Sequence, residues 1–479
     1  MSLTLKGDSN KNKQKYSKEI LIELLRENPD QTRFNEVLMK KEIKALLIRP
    51  KYSSIVANLE PYGLEYLVGL ANELNIKCEI HDEFQYPWTF RFTRMRRLIE
   101  KGGYNFIGFN ANANTVDYII KRASQLKKLY PDITIMVGGP EAELNYREFF
   151  TDDIDIVYYD NGLASLKNMW ESGLDMDVLD KQTGISFKRD GEWVVKEKGS
   201  PVNGFIVKPD RTAFYKGLKK NFIFMKGKYA LMKASFSCPF NCAFCYCTKM
   251  NSGCYTERDI YEVLDEVEEI RHDKIWFVDD TFFYDKERVI TFCNEVIKRG
   301  IKKTFMAYAR ADFLAANPDV LPLAYKAGFR DILVGLEAIT DELLDEYNKK
   351  TTKDDNILAI KHLHDNNIVC DGLFVISYEA TRQDYKNLMK FIKDNNLLWV
   401  VFGIFTPYKG TDAYDEYKDK VVNFKSDRLD GTHITIKPTN MSSFEFMFRY
   451  YWIHVLTYPK IMVRTLFGTG YDTKRKGWF

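Results

Sequence analysis

The stretch ALMKASFSCPFNCAFCYC, residues 230–247, sets three cysteines directly behind an apolar run. Residues 230–237 read as a buried strand, and Cys238, Cys242 and Cys245 follow in a loop at CxxxCxxC spacing. Three thiolates so spaced can converge on one face of a cubane cluster, and soft sulfur donors suit iron–sulfur chemistry. Such a trio leaves one iron without a protein ligand, open to a substrate or cosubstrate. A structural zinc site would need a fourth Cys or His. Cys247 and Cys254 are near enough in sequence to keep that alternative open. Cys247 directly follows Tyr246 and is expected to point away as a packing residue. Cys78, Cys293 and Cys370 fall within strand or helix patterns and read as core.

Beyond the knot, strand-like runs recur at 274–280, 303–310, 331–337, 369–377 and 397–405. Helical patterns separate them, for example at 259–271, 286–298 and 384–393. Six such βα units predict a partial barrel over 229–411 with its active site at the carboxyl ends of the strands. Before the knot, runs at 43–48, 76–80, 106–109, 133–137 and 154–158 alternate with helices at 63–74 and 116–129. That alternation predicts a doubly wound parallel α/β sheet over 43–175, with ligands held in the loops after its strands. Those loops carry Arg49-Pro50, residues 110–114 and Gly138-Gly139-Pro140. Residues 176–228 read as linker, with a hairpin at 184–195 turning on Asp190-Gly191. Residues 1–42 read as a charged helical extension with one apolar stripe, Ile20, Leu21, Leu24 and Leu25. Residues 412–479 are rich in Phe, Tyr and Trp and read as a helical cap that shapes the substrate site; Tyr450, Tyr451 and Trp452 would serve equally well as packing.

A chain of 479 residues is long enough for two to four domains. Its 70 basic and 67 acidic residues nearly cancel, which leaves no general nucleic-acid footprint. No apolar stretch reaches the roughly 18 residues of a membrane span. The polar, Lys-rich start lacks a signal core, so a cytoplasmic protein is expected. Eight cysteines in so long a chain do not form a disulfide scaffold.

The CxxxCxxC run, with an aromatic just before its third cysteine and at the end of the first of six βα units, resembles the radical S-adenosylmethionine (SAM) superfamily. The resemblance implies a [4Fe–4S] cluster on Cys238, Cys242 and Cys245, whose open iron chelates SAM, with Phe244 and Tyr246 flanking the adenine. Reductive cleavage of SAM would then yield a 5′-deoxyadenosyl radical. The segments WFVDDTFF, AYARAD and VGLEAITDELLDEYNKKTT match the family's SAM-binding strand ends, which implies roles for Asp279, Arg310 and Glu337. An arginine can pair with the SAM carboxylate, and an acid with its ammonium or ribose hydroxyls. The alternative is a barrel ion pair, an even choice for Asp279 and Arg310 and the lesser one for Glu337. The fifth strand, LFVISYEATRQD, departs from the family's Gly-x-Pro-Gly-Glu-Thr turn, keeping Thr381 and leaving Ser377 and Glu379 as candidates. TPYKGTDAY (406–414) resembles a Thr-Pro-Tyr-Pro-Gly-Thr segment common in one large subgroup.

An α/β sheet directly before such a barrel resembles the cobalamin-binding subgroup. The resemblance rests on RPKYSSIVANLEPYGLEYLVGLANELN, GFNANANTVD and VGGPEAELN. It implies corrinoid contacts at Arg49, Pro50, Tyr62, Gly63, Asn110, Ala111, Asn112, Gly138, Gly139, Pro140 and Glu141. Glycines suit close approach of backbone to a large ring. No Asp-x-His-x-x-Gly run offers a histidine below cobalt, as is general in this subgroup. Two departures stand out: residues 160–163 replace an acidic Gly-Glu-Gly-Glu turn, and Glu141 stands where a His often follows Gly-Gly-Pro. A domain that packs without a corrinoid is the alternative. The expected activity is cobalamin-dependent radical SAM methylation of an unactivated carbon. Cyclisation or ring rearrangement with the same cofactors, or a non-catalytic iron–sulfur electron carrier, are the alternatives. Expected partners are a small-molecule or peptide substrate and an external electron donor of flavodoxin or ferredoxin type.

Overall fold

A computed structural model describes residues 42–52, 57–160, 162–223, 226–423 and 425–466. The expected N-terminal helix with Ile20, Leu21, Leu24 and Leu25 lies outside the described residues, as do Asn161 and residues 467–479.

Short runs of buried apolar residues build the first sheet: β1 (Lys44–Arg49), β2 (Lys77–Asp82), β3 (Phe106–Asn110), β4 (Thr134–Gly138) and β5 (Ile156–Tyr158). They lie parallel in the order β2-β1-β3-β4-β5. Strand order reverses between β1 and β3, so a crevice opens at the carboxyl ends of those two strands. Helices α1 (Tyr62–Glu73), α2 (Trp88–Gly102), α3 (Val116–Leu129) and the short α4 (Pro140–Asn145) cover the faces.

The hairpin expected within the linker continues this sheet. Strands β6 (Ile185–Arg189) and β7 (Glu192–Val195) add antiparallel to β5, giving seven strands. The hairpin satisfies the open backbone groups of β5. Its turn takes positive φ at Asp190 (52°) and Gly191 (87°), as a two-residue hairpin requires.

The second sheet has six parallel strands in sequence order: β8 (Ala230–Met232), β9 (Lys274–Phe277), β10 (Thr304–Arg310), β11 (Phe329–Glu337), β12 (Val369–Ile376) and β13 (Trp399–Ile404). Side chains alternate across it. Ala230, Ile275, Phe277, Phe305, Ile332 and Val334 pack outward with the helices. Leu231, Trp276, Met306 and Leu333 share a core with Tyr62 and Tyr66 of α1, so that helix joins the two sheets. At the opposite end Lys226 is buried between Asp331 and Asp371, against the Trp399 ring.

The strand expected over 230–237 breaks after Met232. The Lys233 N–H donates to Tyr62 Oη (3.1 Å) and the Ala234 N–H to Asp279 (2.9 Å), so neither feeds the ladder. Residues Ser235–Phe236 instead pair antiparallel with Thr256–Glu257. Among the helices outside this second sheet are α5 (Ile260–Glu269), α6 (Lys286–Lys298), α7 (Lys353–Asp365) and α8 (Arg382–Asp394). The long α9 (Ser443–Leu466) lies along β13 and α8. Among the described residues no helix is long and apolar enough to cross a membrane.

Candidate functional site

The cysteine loop leaves Phe236 through Ser237, which holds a positive φ of 63° and anchors its hydroxyl on the Cys247 carbonyl (2.9 Å). Cys242 is buried, while Cys238 and Cys245 are half-buried. Burial pushes the Cys238 thiol up to about 12, and Cys245 and Cys242 add to the rise, so the three thiols lie within electrostatic reach. Burial raises Cys242 too, against the opposing pull of Lys349 and Arg310. Cys245 is lowered, chiefly because the Cys247 thiol donates a hydrogen bond to it. Cys247 is therefore no bystander: the turn after Tyr246 brings its thiol back onto Cys245 and Asp280. Among the described residues no three His, Cys, Asp or Glu side chains close on a single-ion position. The soft donor set Cys238, Cys242 and Cys245 fits the iron–sulfur cluster inferred from its spacing.

Around this loop the strand ends bring several candidates together. Arg310 closes β10 with its guanidinium 3.8 Å from the Phe240 ring centre and 3.7 Å from Cys242 Sγ. It also donates to Asp312 (3.0 Å) and to the Lys349 carbonyl (2.5 Å). Glu337 closes β11 at a bulge with φ 57°, a conformation that costs a non-glycine residue energy. Its carboxylate pairs with the buried Lys349 ammonium at 2.9 Å. Burial works against the Lys349 charge, but Glu337 and then Cys242 overcome it and hold the pKa above the ordinary lysine value. Gly335 leaves room for the pair, since a Cβ there would fall 2.5 Å from Glu337 Oε1.

Asp279 is placed differently from a free ligand group. It is fully buried and accepts from the Ala234 N–H and from Ser235 Oγ (2.6 Å), holding the start of the cysteine loop. Burial raises it to about 6, although Ser235 pulls the other way. Phe244 meets Tyr347 edge-on at 5.4 Å, and Tyr246 meets Tyr408 edge-on at 5.9 Å. Ser377 accepts from the Glu379 N–H (3.1 Å) and lines, with Glu337 and Glu379, a crevice of about 910 Å³. Thr381 caps α8 in a reciprocal box with Asp384.

The carboxyl end of the first sheet faces this loop across a cleft of about 1120 Å³. One wall carries Tyr62, Gly63, Asn110, Gly138, Gly139 and Pro140; the other carries Lys233, Phe236 and Met250. Gly139 has φ 103°, and a Cβ there would lie 2.7 Å from Asn110 Oδ1, so only glycine fits. Among the described residues that buried Asn110 oxygen has no hydrogen-bond partner. Asn112, Pro140 and Glu141 line a neighbouring hollow of about 690 Å³ together with Tyr52, Tyr246 and Tyr408. Burial raises Glu141 to about 7, against the Asn145 amide that donates to it at 2.7 Å.

Three sequence candidates lie off the cleft wall. Arg49 is held by both Asp82 oxygens (2.8 and 2.7 Å) and by Asn58 (2.9 Å), with its guanidinium over Phe84. Pro50 is buried, and Ala111 is buried with its backbone bonded to Gly138 and Glu141.

Sequence reasoning missed Lys349, although it stands inside the quoted NKKTT run, because its partner Glu337 lies on another element. It also missed a buried network across the cleft floor. The Lys233 N–H donates to Tyr62, Tyr62 bonds Tyr66 (2.9 Å), and Tyr66 donates to Glu266 of α5 (3.4 Å). Arg258 bonds both Glu266 (3.0 Å) and the Lys233 carbonyl (2.8 Å), and Arg211 bonds Glu266 (2.9 Å) and Glu60. No local sequence pattern announces such a chain.

Comparison with known proteins bears on this arrangement. The Radical SAM superfamily model matches residues 232–392. The anaerobic magnesium-protoporphyrin IX monomethyl ester cyclase of Rubrivivax gelatinosus is 28% identical over 424 residues, covering 85% of this chain and 76% of the cyclase. The bacteriochlorophyllide d C-8(2)-methyltransferase of Chlorobaculum tepidum is 24% identical over 385 residues, covering 76% and 81%. The fold is shared with OxsB, a cobalamin-dependent SAM radical enzyme solved with aqua-cobalamin and SAM bound (TM-score 0.61, 18% identity). That match covers 87% of this chain and 62% of OxsB. With the cysteine loop at the mouth of a six-stranded parallel sheet and the superfamily match lying over it, residues 232–392 form a radical SAM domain.

Proposed function

We propose that this enzyme is a cobalamin-dependent radical SAM methyltransferase acting on an unactivated carbon. The observation that carries the reading is the cleft in which Gly138, Gly139 and Asn110 face Lys233 and Phe236, the latter two positions before Cys238. The residues there fit a corrinoid: a bare glycine lip permits close approach, and the unpartnered Asn110 oxygen can accept from a side-chain amide. Tyr62 and Gly63 would wall the ring, with Pro140, Glu141 and Asn112 along its edge. Arg49 and Pro50 would support that wall from behind, and Ala111 would fix the loop between Asn110 and Asn112.

Together the groups would supply a methyl donor and a 5′-deoxyadenosyl radical to one substrate carbon. The chain's own residues do the rest. Cys238, Cys242 and Cys245 would hold the cluster, and three thiolates would leave one iron free for SAM. Arg310 and Lys349 place positive charge beside Cys242, where a SAM carboxylate would approach, and Glu337 offers an acceptor for its ammonium. Phe244 and Tyr246 would flank the adenine, and Ser377 would contribute to the SAM site. Asp279 positions the loop through Ala234 and Ser235 rather than by touching SAM. The aromatic walls around Tyr246 and Tyr408 exclude water from a radical. A flavodoxin or ferredoxin would deliver the electron, in the cytoplasm.

Anaerobic reconstitution with hydroxocobalamin, iron and sulfide tests this. Bound corrinoid in the visible spectrum is expected, with both 5′-deoxyadenosine and S-adenosylhomocysteine formed during turnover. A protein that takes up no corrinoid refutes the proposal. The similarity to a cyclase over 85% of the chain favours one second reading, cyclisation with the same cofactors. It predicts 5′-deoxyadenosine without S-adenosylhomocysteine.

A further inference from the structure

Lys233 is the one cation among the described residues that line the cleft between the two sheets. Its backbone is held on both sides: the N–H donates to Tyr62 Oη (3.1 Å) and the carbonyl accepts from Arg258 (2.8 Å). The side chain is half-buried, with its ammonium 5.6 Å from the centre of the Phe236 ring. Among the described residues no carboxylate comes within ion-pair distance of it. The buried Asp279 and the acids of the cleft are engaged elsewhere. Asp279 accepts from Ala234 and Ser235, Glu143 from the Asn251 N–H (2.5 Å) and Asp160 from the Gly162 N–H (3.2 Å).

An ammonium drawn partly out of water and left without a counter-ion is stabilised by an anion that enters beside it. The Phe236 ring attracts the cation but does not accept its N–H groups as an oxygen would. The cleft lining is otherwise rich in apolar side chains, among them Leu64, Leu67, Phe205, Phe236 and Met250. The complement of such a surface is an apolar body carrying one negative group. Gly138 and Gly139 stand on the first-sheet wall, and Lys233 stands on the barrel wall, five residues before Cys238. A corrinoid against the glycine lip would therefore leave Lys233 to the substrate.

We propose that Lys233 binds the carboxylate of a substrate whose body is otherwise apolar. The assignment rests on the corrinoid reading of the glycine lip, which gives the opposite wall to the substrate. The full chain, loaded with hydroxocobalamin, is dialysed to equilibrium against pyrenebutyrate and against its methyl ester. The acid is expected to bind about tenfold tighter than the ester, and raised salt should narrow the gap. Lys233→Met should remove the gap and Lys233→Arg should keep it, with the ester bound alike by all three proteins. Both variants should keep the parent's melting temperature, because the hydrogen bonds of Lys233 are made by its backbone. Equal affinity for acid and ester in the parent overturns the proposal, and so does a gap that survives Lys233→Met. Titrations with hydroxocobalamin and with cobinamide, which lacks the phosphodiester, test the other source of negative charge. Weaker hydroxocobalamin binding by Lys233→Met with cobinamide unchanged overturns the proposal, by giving the ammonium to the corrinoid phosphate. If the parent takes up neither corrinoid, the cofactor reading fails instead, and acid against ester on the cofactor-free chain still decides whether Lys233 holds a carboxylate.

Discussion

The two sheets end in mouths of opposite character. At the barrel mouth, charge is abundant and paired: Glu337 with Lys349, Arg310 with Asp312, Asp279 with backbone and hydroxyl donors. At the mouth of the first sheet the cleft wall is chiefly glycine, tyrosine, proline and aliphatic side chains, with Glu143 and Asp160 its acids and the buried Asn110 amide oxygen left unpartnered among the described residues. A surface that completes its own hydrogen bonds sets groups in place, and one that leaves a buried acceptor open waits for a ligand to complete it. The comparison implies that the barrel assembles its chemistry from side chains, while the first sheet provides shape and backbone.

The sharpest way to break this division is Cys242→Ala. Loss of one thiolate should abolish the iron–sulfur absorbance and reduce 5′-deoxyadenosine to background. Corrinoid uptake should persist, because the cleft wall of the first sheet contains none of the cysteines. Joint loss of both would show that the mouths form one cooperative unit.

Next in size is the barrel's buried ion pair. Lys349→Met leaves Glu337 buried without its cation, a defect that costs about 3–5 kcal/mol. Urea melts should show that loss, and adding Glu337→Gln should recover most of it, since the uncompensated charge is then gone. At the first sheet's mouth the corresponding carboxyl is Glu141, whose nearby cation Lys409 is paired with Glu148 and does not overcome the effect of burial, so it behaves oppositely. Burial raises it from 4.5 to about 7, so the folded chain holds its proton more tightly than the unfolded chain. Stability from that preference is complete below pH 4.5 and fades as pH climbs through 7. Glu141→Gln should therefore change little at pH 4 and stabilise by about 3 kcal/mol at pH 8, read from paired urea melts.

The same division decides what the sequence reveals. Strands β1, β3, β4 and β9 to β13 are legible because buried parallel strands are short apolar runs that recur between helices. The cysteine spacing is legible because all three ligands sit in one loop. Lys349 is legible only as a letter in a motif; its meaning comes from Glu337, twelve residues away and at a bulge with positive φ. The break after Met232 is invisible because apolar content continues through Phe236, and only Tyr62 and Asp279, from distant segments, divert the two N–H groups. The face of α9 is half legible: Tyr450, Tyr451 and Trp452 show aromatic content, but only packing separates the buried Tyr450 from its exposed neighbours.

The smallest effect probes the seam between the two mouths. Tyr62 walls the cleft from the first sheet, and its oxygen also receives the Lys233 N–H, five residues before Cys238. Because the Glu266 carboxylate can only accept, the Tyr66 proton points to Glu266, and the Tyr62 proton therefore to Tyr66. Arg258, bound to the same carboxylate, grips the Lys233 carbonyl, so both backbone groups of this one residue are held. Tyr62→Phe keeps the ring and its packing but strips the acceptor, leaving a part-buried N–H unsatisfied at about 1–2 kcal/mol. Amide hydrogen exchange at Lys233 should then quicken about tenfold in the cofactor-free protein, because that cost lowers the free energy of local opening. The amides of β11 should stay protected, since Tyr62 bonds none of them. Unchanged exchange at Lys233 would mean that Arg258 alone fixes the peptide and that the first sheet does not set the cysteine loop.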